Sequence, residues 1–262
     1  MTEPKLPQFH ELAEVYDAIN SWKDYAGEAE KLETLARRFG RPRPGSWLDV
    51  ACGTGRHLEQ LRRKYRVVGV DASSEMLRIA RQRLPGVRLV RADMRTFRLG
   101  ARFDVVSCLY GAVGHLPNEA DVRRTFANLS RHLNPGGVAL VEPWILPSAW
   151  RSGHIDLRTY ESPVLTVVRC AASQRRGNRS ILHWHFLVGV PGRGIRHYEE
   201  TDFGLLLSRN RLLRLFREVG LHPRYIARGL TPGRGLLLGI KRGPGASRPA
   251  ALAPLRVPRP HP

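Results

Sequence analysis

The sequence lacks most of the features that would assign a class at a glance. No run approaches the roughly 20 apolar residues needed to span a bilayer, and the opening MTEPKLPQFHELAEVY is charged, without the apolar stretch of a secretory signal. A soluble cytoplasmic protein with no membrane partner is therefore expected. Cysteine is scarce, with Cys52, Cys108 and Cys170 far apart and no Cys-x-x-Cys. That excludes a disulfide framework and a thiolate zinc site, and leaves buried reduced thiols as the expectation, with no metal. Negative charge is also short, since 23 acidic residues face 43 basic ones for a net charge of +20. Arginine supplies 38 of the basic residues, spread over nearly every helical segment in pairs such as Arg62 with Arg63 and Arg123 with Arg124. Nucleic-acid binders gather charge on one face or interleave it with aromatic residues. Dispersion favours a solvated surface over a nucleic-acid partner.

What the sequence does have is WLDVACGTGRHLEQL, residues 47–61, an apolar run and a helix-like run joined by a turn with small residues at Ala51, Gly53 and Gly55. Glycine lets backbone approach a ligand, because without Cβ it reaches positive φ freely. A dinucleotide fingerprint needs a third glycine, but Leu58 stands in its place. A P-loop needs Lys followed by Ser or Thr, and none follows the turn.

At 262 residues the chain fits one large α/β domain with an insertion. Residues 8–39 read as helical, with Leu12, Val15, Tyr16 and Ile19 on one face. After the breakers Pro42, Pro44 and Gly45, strands are expected at 46–51, 66–70, 87–90, 103–109 and 138–142. Helices are expected from 55, over 74–84 and over 118–133. This alternation implies a parallel sheet with right-handed crossovers. Segments 162–170, 179–190 and 194–203, split by RRGN and PGRG, read as an inserted antiparallel meander. A helix at 208–219 and strands at 222–229 and 235–241 close the sheet. The Pro-rich tail is expected to be disordered.

Three strands end in or near an acid: Asp49 in WLDVA, Asp71 in VVGVD and Asp93 in LVRAD. Ligands of an open parallel sheet bind at the carboxyl ends of its strands, so all three are expected to face one crevice. Such a rim repels a pyrophosphate and holds a ligand with positive charge and donor groups. S-adenosylmethionine (SAM) fits. Its ribose diol can donate to Asp71 and its adenine amine to Asp93, while Asp49 and the backbone of residues 51–55 take the amino-acid end. Met76 is placed on the adenine face.

LDVACGTGRHL, VVGVDASSEML, RADMRTF and LNPGGVALVEPW resemble the successive motifs of class I SAM-dependent methyltransferases. KDYAGEA, GHL, EPW, HYEE and GRGL further resemble the N,N-dimethyltransferases of nucleotide-linked 3-amino sugars in macrolide pathways, the desosamine and mycaminose enzymes. The resemblance implies a Rossmann-like α/β sheet with helices on both faces and an inserted antiparallel sheet. It divides the chain into a helical lid (1–44), a SAM-binding core (45–147), the inserted sheet (148–206), closing elements (207–242) and a tail (243–262). It implies a dTDP-linked amino-sugar acceptor, S-adenosylhomocysteine as product, and a homodimer built on the inserted sheet. Catalytic-pocket roles fall to Tyr16 and His115. Tyr25, Cys52, Ala72, Met94 and Leu109 join Asp49, Ala51, Gly53, Gly55, Asp71, Met76 and Asp93 around the cofactor. Around the acceptor the chain departs from the family: only NSW stands where a second tyrosine and a longer Gly/Arg-containing stretch usually precede KDY, and YGAVGHL lacks the small hydroxyl residues that usually precede GHL.

Methyl transfer from a sulfonium is an in-line displacement that needs an unprotonated amine, so positioning dominates. His115 is expected to hydrogen-bond or deprotonate that amine and Tyr16 to orient it. Glu142 and Trp144 are expected to contact the sugar and Arg234 a nucleotide phosphate. The alternatives are another small acceptor, such as a natural-product hydroxyl or a glycine-like amine, an RNA methyltransferase, and a noncatalytic SAM-binding protein. Against RNA, the chain has no appended RNA-binding module and no Asn-Pro-Pro-Tyr-type motif.

Overall fold

In the computed structural model, which describes residues 13–243, two strands are buried at every position. They are β1 (Ser46–Val50) and β4 (Phe103–Cys108), paired in parallel from Trp47 opposite Val105 to Asp49 opposite Ser107. Near-continuous apolar runs of this kind are what a strand covered on both faces requires. β2 (Arg66–Asp71) and β3 (Arg88–Arg91) extend the sheet in parallel beyond β1, and β5 (Leu133–Val141) extends it beyond β4. β10 (Leu221–Ile226) and β11 (Leu236–Lys241) complete seven strands in the order β10-β11-β5-β4-β1-β2-β3, with β11 antiparallel to both neighbours. The order reverses between β1 and β4, which opens a crevice at their carboxyl ends.

Side-chain alternation sends successive residues to opposite layers. Leu48, Val50 and Val106 meet Phe126 of α5 (Glu119–Arg131) and Phe216 of α6 (Arg209–Glu218). Trp47 and Val105 meet Leu32 and Leu35 of α2 (Tyr25–Phe39). The crossovers carry α3 (Arg56–Leu61) and α4 (Ser74–Arg83), the latter capped by Ser73, whose hydroxyl accepts from the Met76 amide.

Several boundaries differ from expectation for identifiable reasons. The long helix is two, α1 (Ala13–Ile19) and α2, because Asp24 turns its carboxylate back onto the Gly27 amide and starts a new helix. Leu12 and the residues before it lie outside the described residues, as does the tail from 244 onward. β5 starts at Leu133 rather than at 138, because Leu133 pairs with Phe103 before a register shift that takes up Pro135 and Gly136.

The second sheet is antiparallel in the order β6-β7-β8-β9. β7 (Leu165–Arg176), β8 (Arg179–Val190) and β9 (Gly194–Leu205) extend the expected meander, and β6 (Ile155–Ser162) is an unforeseen edge strand. Period-two alternation puts Arg169, Trp184, Phe186, Glu200 and Asp202 on one face and Leu157, His185, Leu187, His197 and Glu199 on the other. Val15 and Ile19 of α1 pack on Val167, Phe186 and Val188 of the first face. Asp17 of α1 accepts from Thr54 at 2.6 Å and from Arg83 at 2.5 Å, which pins the helix across the glycine-rich turn. No helix among the described residues is long and apolar enough to cross a membrane.

Candidate active site

The crevice is marked by backbone strain. Ala51 (φ 58°) and Tyr110 (φ 54°) are the non-glycine residues at positive φ among those described, one and two residues past the ends of β1 and β4. The left-handed conformation costs an L-residue about 1–2 kcal/mol, so surrounding structure must hold it. At Tyr110 it is held by Glu142, whose Oε2 accepts from the Tyr110 amide at 2.7 Å, and by Asn20, which accepts from the phenol at 2.7 Å. The other oxygen of Glu142 accepts from the Thr231 amide at 2.8 Å, and the side chain is fully buried. Glu142 thus joins two loops beneath the site. It does not reach the sugar position expected of it, because main-chain amides occupy both of its oxygens.

A cavity of about 470 Å³ opens over this turn, roofed by Val15, Tyr16, Ile19 and Asn20 of and beside α1. One side of it is lined by Ala51, Gly53, Asp71, Ala72, Met76, Met94 and Leu109, residues that the sequence reading groups around a cofactor. An adjoining cavity of about 40 Å³ shares Tyr16, Ala51, Gly53 and Leu109 with it and adds Tyr25, Asp49 and Cys52. Asp71 accepts from the Gly53 amide at 2.8 Å and from the Ser73 amide at 2.9 Å. Burial nevertheless lifts its carboxyl above the usual range, against the backbone bonds from Ser73, Gly53 and Ala72. Asp49 accepts from Ser107 Oγ at 2.7 Å. Burial pushes Asp49 up to about 6, with Asp71 adding and His57 and Ser107 opposing. Burial also raises the Tyr16 and Tyr25 phenols and the Cys52 thiol, which favours their neutral forms.

Two expected cofactor residues are elsewhere. Gly55 lines neither cavity; it starts α3 at φ 79°, where an added Cβ would lie 2.6 Å from Leu84, so it serves helix packing. Asp93 is turned away onto Arg95, whose Nε lies 3.0 Å from both carboxylate oxygens. The guanidinium, first through its hydrogen bond, draws the Asp93 carboxyl below the usual range. Two of the three acids therefore meet at the crevice, and Met94 takes the place beside them. Neither Asp49 nor Asp71 has an arginine or lysine partner among the described residues. A cationic, donor-rich ligand such as SAM would compensate both.

The far side of the large cavity contains His115, Trp144 and Arg234, together with Arg169, Trp184, Phe186, Glu200 and Asp202, which the sequence reading did not name. His115 ends the 3₁₀ turn Ala112–His115 after β4, and its Nδ1 lies 2.9 Å from Asp202 Oδ1. Burial disfavours its charged form, but the charge and hydrogen bond of Asp202 outweigh burial, with Arg234 opposing and Glu200 assisting, and its pKa rises. Trp144 donates to Ser180 Oγ at 2.9 Å, which fixes the indole. The Arg234 guanidinium lies 4.9 Å from the Tyr110 ring and 4.8 Å from the Trp144 ring, with Nη1 buried and unpartnered. Arg169 lies 4.5 Å over Trp184, pairs with Asp156 through Nη2, and leaves Nε buried and unpartnered. Among so many arginines, Arg169 had one faint signal, its place on the inward face between Val167 and Ala171.

The profile of a methyltransferase-domain family matches residues 48–137. The dTDP-3-amino-3,6-dideoxy-alpha-D-glucopyranose N,N-dimethyltransferase of Streptomyces fradiae is 38% identical over 248 residues, 94% of this chain and 96% of its own. The crystal structure of Streptomyces venezuelae DesVI matches with a TM-score of 0.84 and 37% identity, covering 88% of this chain and 98% of its own. SAM-bound CalS10, an amino pentose methyltransferase from Micromonospora echinaspora involved in calicheamicin biosynthesis, matches with a TM-score of 0.78 and 35% identity, covering 92% of this chain and 100% of its own.

Proposed function

Because the chain belongs to the family of SAM-dependent sugar N,N-dimethyltransferases, we propose that it methylates the amine of a dTDP-linked amino sugar, through to the dimethylamine. SAM, when bound, supplies an electrophilic methyl group on a sulfonium. Asp71 holds the ribose, Asp49 and the turn backbone hold the amino-acid end, and Ala72, Met76 and Met94 flank the adenine. Tyr25, Cys52 and Leu109 close the pocket around them. Tyr16 orients the acceptor from α1, and His115, fixed by Asp202, hydrogen-bonds its amine.

The observation that carries the acceptor reading is a pair of arginines, Arg169 buried and Arg234 half-buried, whose guanidiniums stack on aromatic rings in the cavity that also holds the acid-rimmed turn. No carboxylate pairs with Arg234 among the described ion pairs. An uncompensated arginine on an aromatic wall suits a nucleotide diphosphate, with Trp144 beside the sugar. The Streptomyces fradiae relative acts on a sugar of that class.

The test compares a dTDP-linked 3-amino sugar with the same sugar lacking the nucleotide. Arg234→Leu removes a charged contact worth about 1.5–3 kcal/mol, so kcat/KM for the nucleotide-linked acceptor should fall about ten- to a hundredfold. SAM affinity and activity on the bare sugar should stay unchanged. Equal kcat/KM for both acceptors in the unmodified enzyme would contradict the reading.

A further inference from the structure

We infer that Glu200 of β9 selects an amine as the methyl acceptor and takes the proton that methyl transfer leaves on its nitrogen. The inference rests on the amino-sugar reading above and assigns its proton chemistry to one side chain.

Glu200 lines the large cavity next to Trp184, the residue opposite it on β8. Its Oε2 is buried with no hydrogen-bond partner, and no cation pairs with it among the described ion pairs. The neighbouring charges explain why. His115 and Asp202 are bound to each other at 2.9 Å and balance within their own pair, which leaves Glu200 as the odd carboxyl. The same cavity is lined by Tyr16, Tyr110, Arg234 and, on the same sheet face as Glu200, Arg169, which is engaged by Asp156. Burial lifts the Glu200 carboxyl to about 7, with Asp202 adding and His115 opposing. A group in this range gains and loses a proton at neutral pH, as a general base must.

An incoming ammonium would supply the missing counter-charge, whereas a hydroxyl acceptor would not. Each methyl transfer leaves the acceptor nitrogen cationic, with its lone pair spent. Before transfer the bound ammonium passes its proton to Glu200 and on to water, so a neutral amine reacts beside an ionised carboxylate. After transfer one N–H bond breaks, its electron pair stays on nitrogen, and the proton forms an O–H bond on Glu200. The secondary amine is neutral again and ready for a second methyl group, and the acid later returns its proton to water. A sugar amine beside ring oxygens titrates like an α-amino group, near about 8, so the step to Glu200 is shallow.

The test uses the full chain and its Glu200→Gln and Glu200→Asp variants. Calorimetry of dTDP-3-amino-sugar binding without SAM, in two buffers of different ionisation enthalpy near neutral pH, should show release of about half a proton, because the amine–carboxyl pair retains one proton. Glu200→Gln should raise that release to nearly one proton, because without the carboxylate the amine binds neutral. With SAM it should accumulate monomethyl product, its second transfer slowed on the order of 10²-fold, and the acid limb of kcat/KM should move up to the pKa of the amine. Glu200→Asp should recover part of both, and unchanged SAM affinity in each variant shows that the fold is intact. Wild-type product ratio, pH limb and proton release in Glu200→Gln would overturn the inference alone. A wild-type enzyme that binds SAM but methylates no dTDP-amino sugar would overturn the substrate reading, and this inference with it.

Discussion

At the level of single residues the site is built on uncompensated charge. Asp49 is buried and Asp71 half-buried without cationic partners, and half-buried Arg234 has no anionic one, its Nη1 enclosed and unpartnered. Each is a cost in the ligand-free protein that a ligand of opposite charge removes. For Asp49 the cost has a defined pH window. Its folded pKa of about 6 exceeds the unfolded value near about 4, so between those values the native state binds more protons than the unfolded state. The ligand-free fold therefore loses stability from this group as pH rises through the window, on the order of 2–3 kcal/mol. SAM favours the ionised carboxylate, so its stabilising effect should grow across the same window. Thermal midpoints with and without SAM, at about pH 5 and about pH 7, should show a larger SAM-induced shift at the higher pH, and a shift in Asp49→Asn that changes far less. Equal growth in Asp49→Asn would place the titrating group elsewhere.

The elements show how far the sequence could be read. The glycine-rich turn was legible because only a strand end followed by a helix start accounts for Asp49, Gly53 and Gly55 in that spacing, and the place of Asp71 at the crevice followed from β2 ending on it. Asp93 was misplaced because strand position fixes where a backbone ends, not which way a side chain turns once Arg95 competes for it. Glu142 was misread because its partners, the amides of Tyr110 and Thr231, are more than 30 residues away on one side and nearly 90 on the other. The acceptor wall was mostly hidden for the same reason, since Arg169, Glu200 and Asp202 meet His115 only after the meander folds over the crevice. β6 escaped notice because it is an edge strand with alternating exposure and little apolar weight. Its sheet has a second face bearing Ile155, Leu157, Leu187, Ile195 and Phe203, exposed by 59, 63, 45, 75 and 41%. An apolar face of this kind suits a second copy packed isologously, the homodimer that the family resemblance implies. Leu157→Arg with Ile195→Glu should yield a folded, SAM-binding monomer by sedimentation equilibrium. A monomeric wild-type protein at micromolar concentration would contradict the dimer.

At the scale of the whole molecule, the seven-stranded sheet carries one side of the cavity, with Asp71 and the glycine-rich turn, and the four-stranded sheet carries the other, with α1 lying across both. The two halves meet where Tyr110, held by Glu142, stacks on Arg234, so the two sides of the cavity share one support. Such a layout places a methyl donor and a nucleotide-linked amine in one enclosed volume, which is the central claim. It is tested most directly by incubating the purified protein with methyl-labelled SAM and a dTDP-linked 3-amino sugar, alongside RNA and hydroxyl-only sugar nucleotides, and weighing the products by mass spectrometry. Two labelled methyl groups on the amino sugar and none on the other acceptors is the predicted result; label on RNA or on a hydroxyl, with the amino sugar untouched, would contradict it.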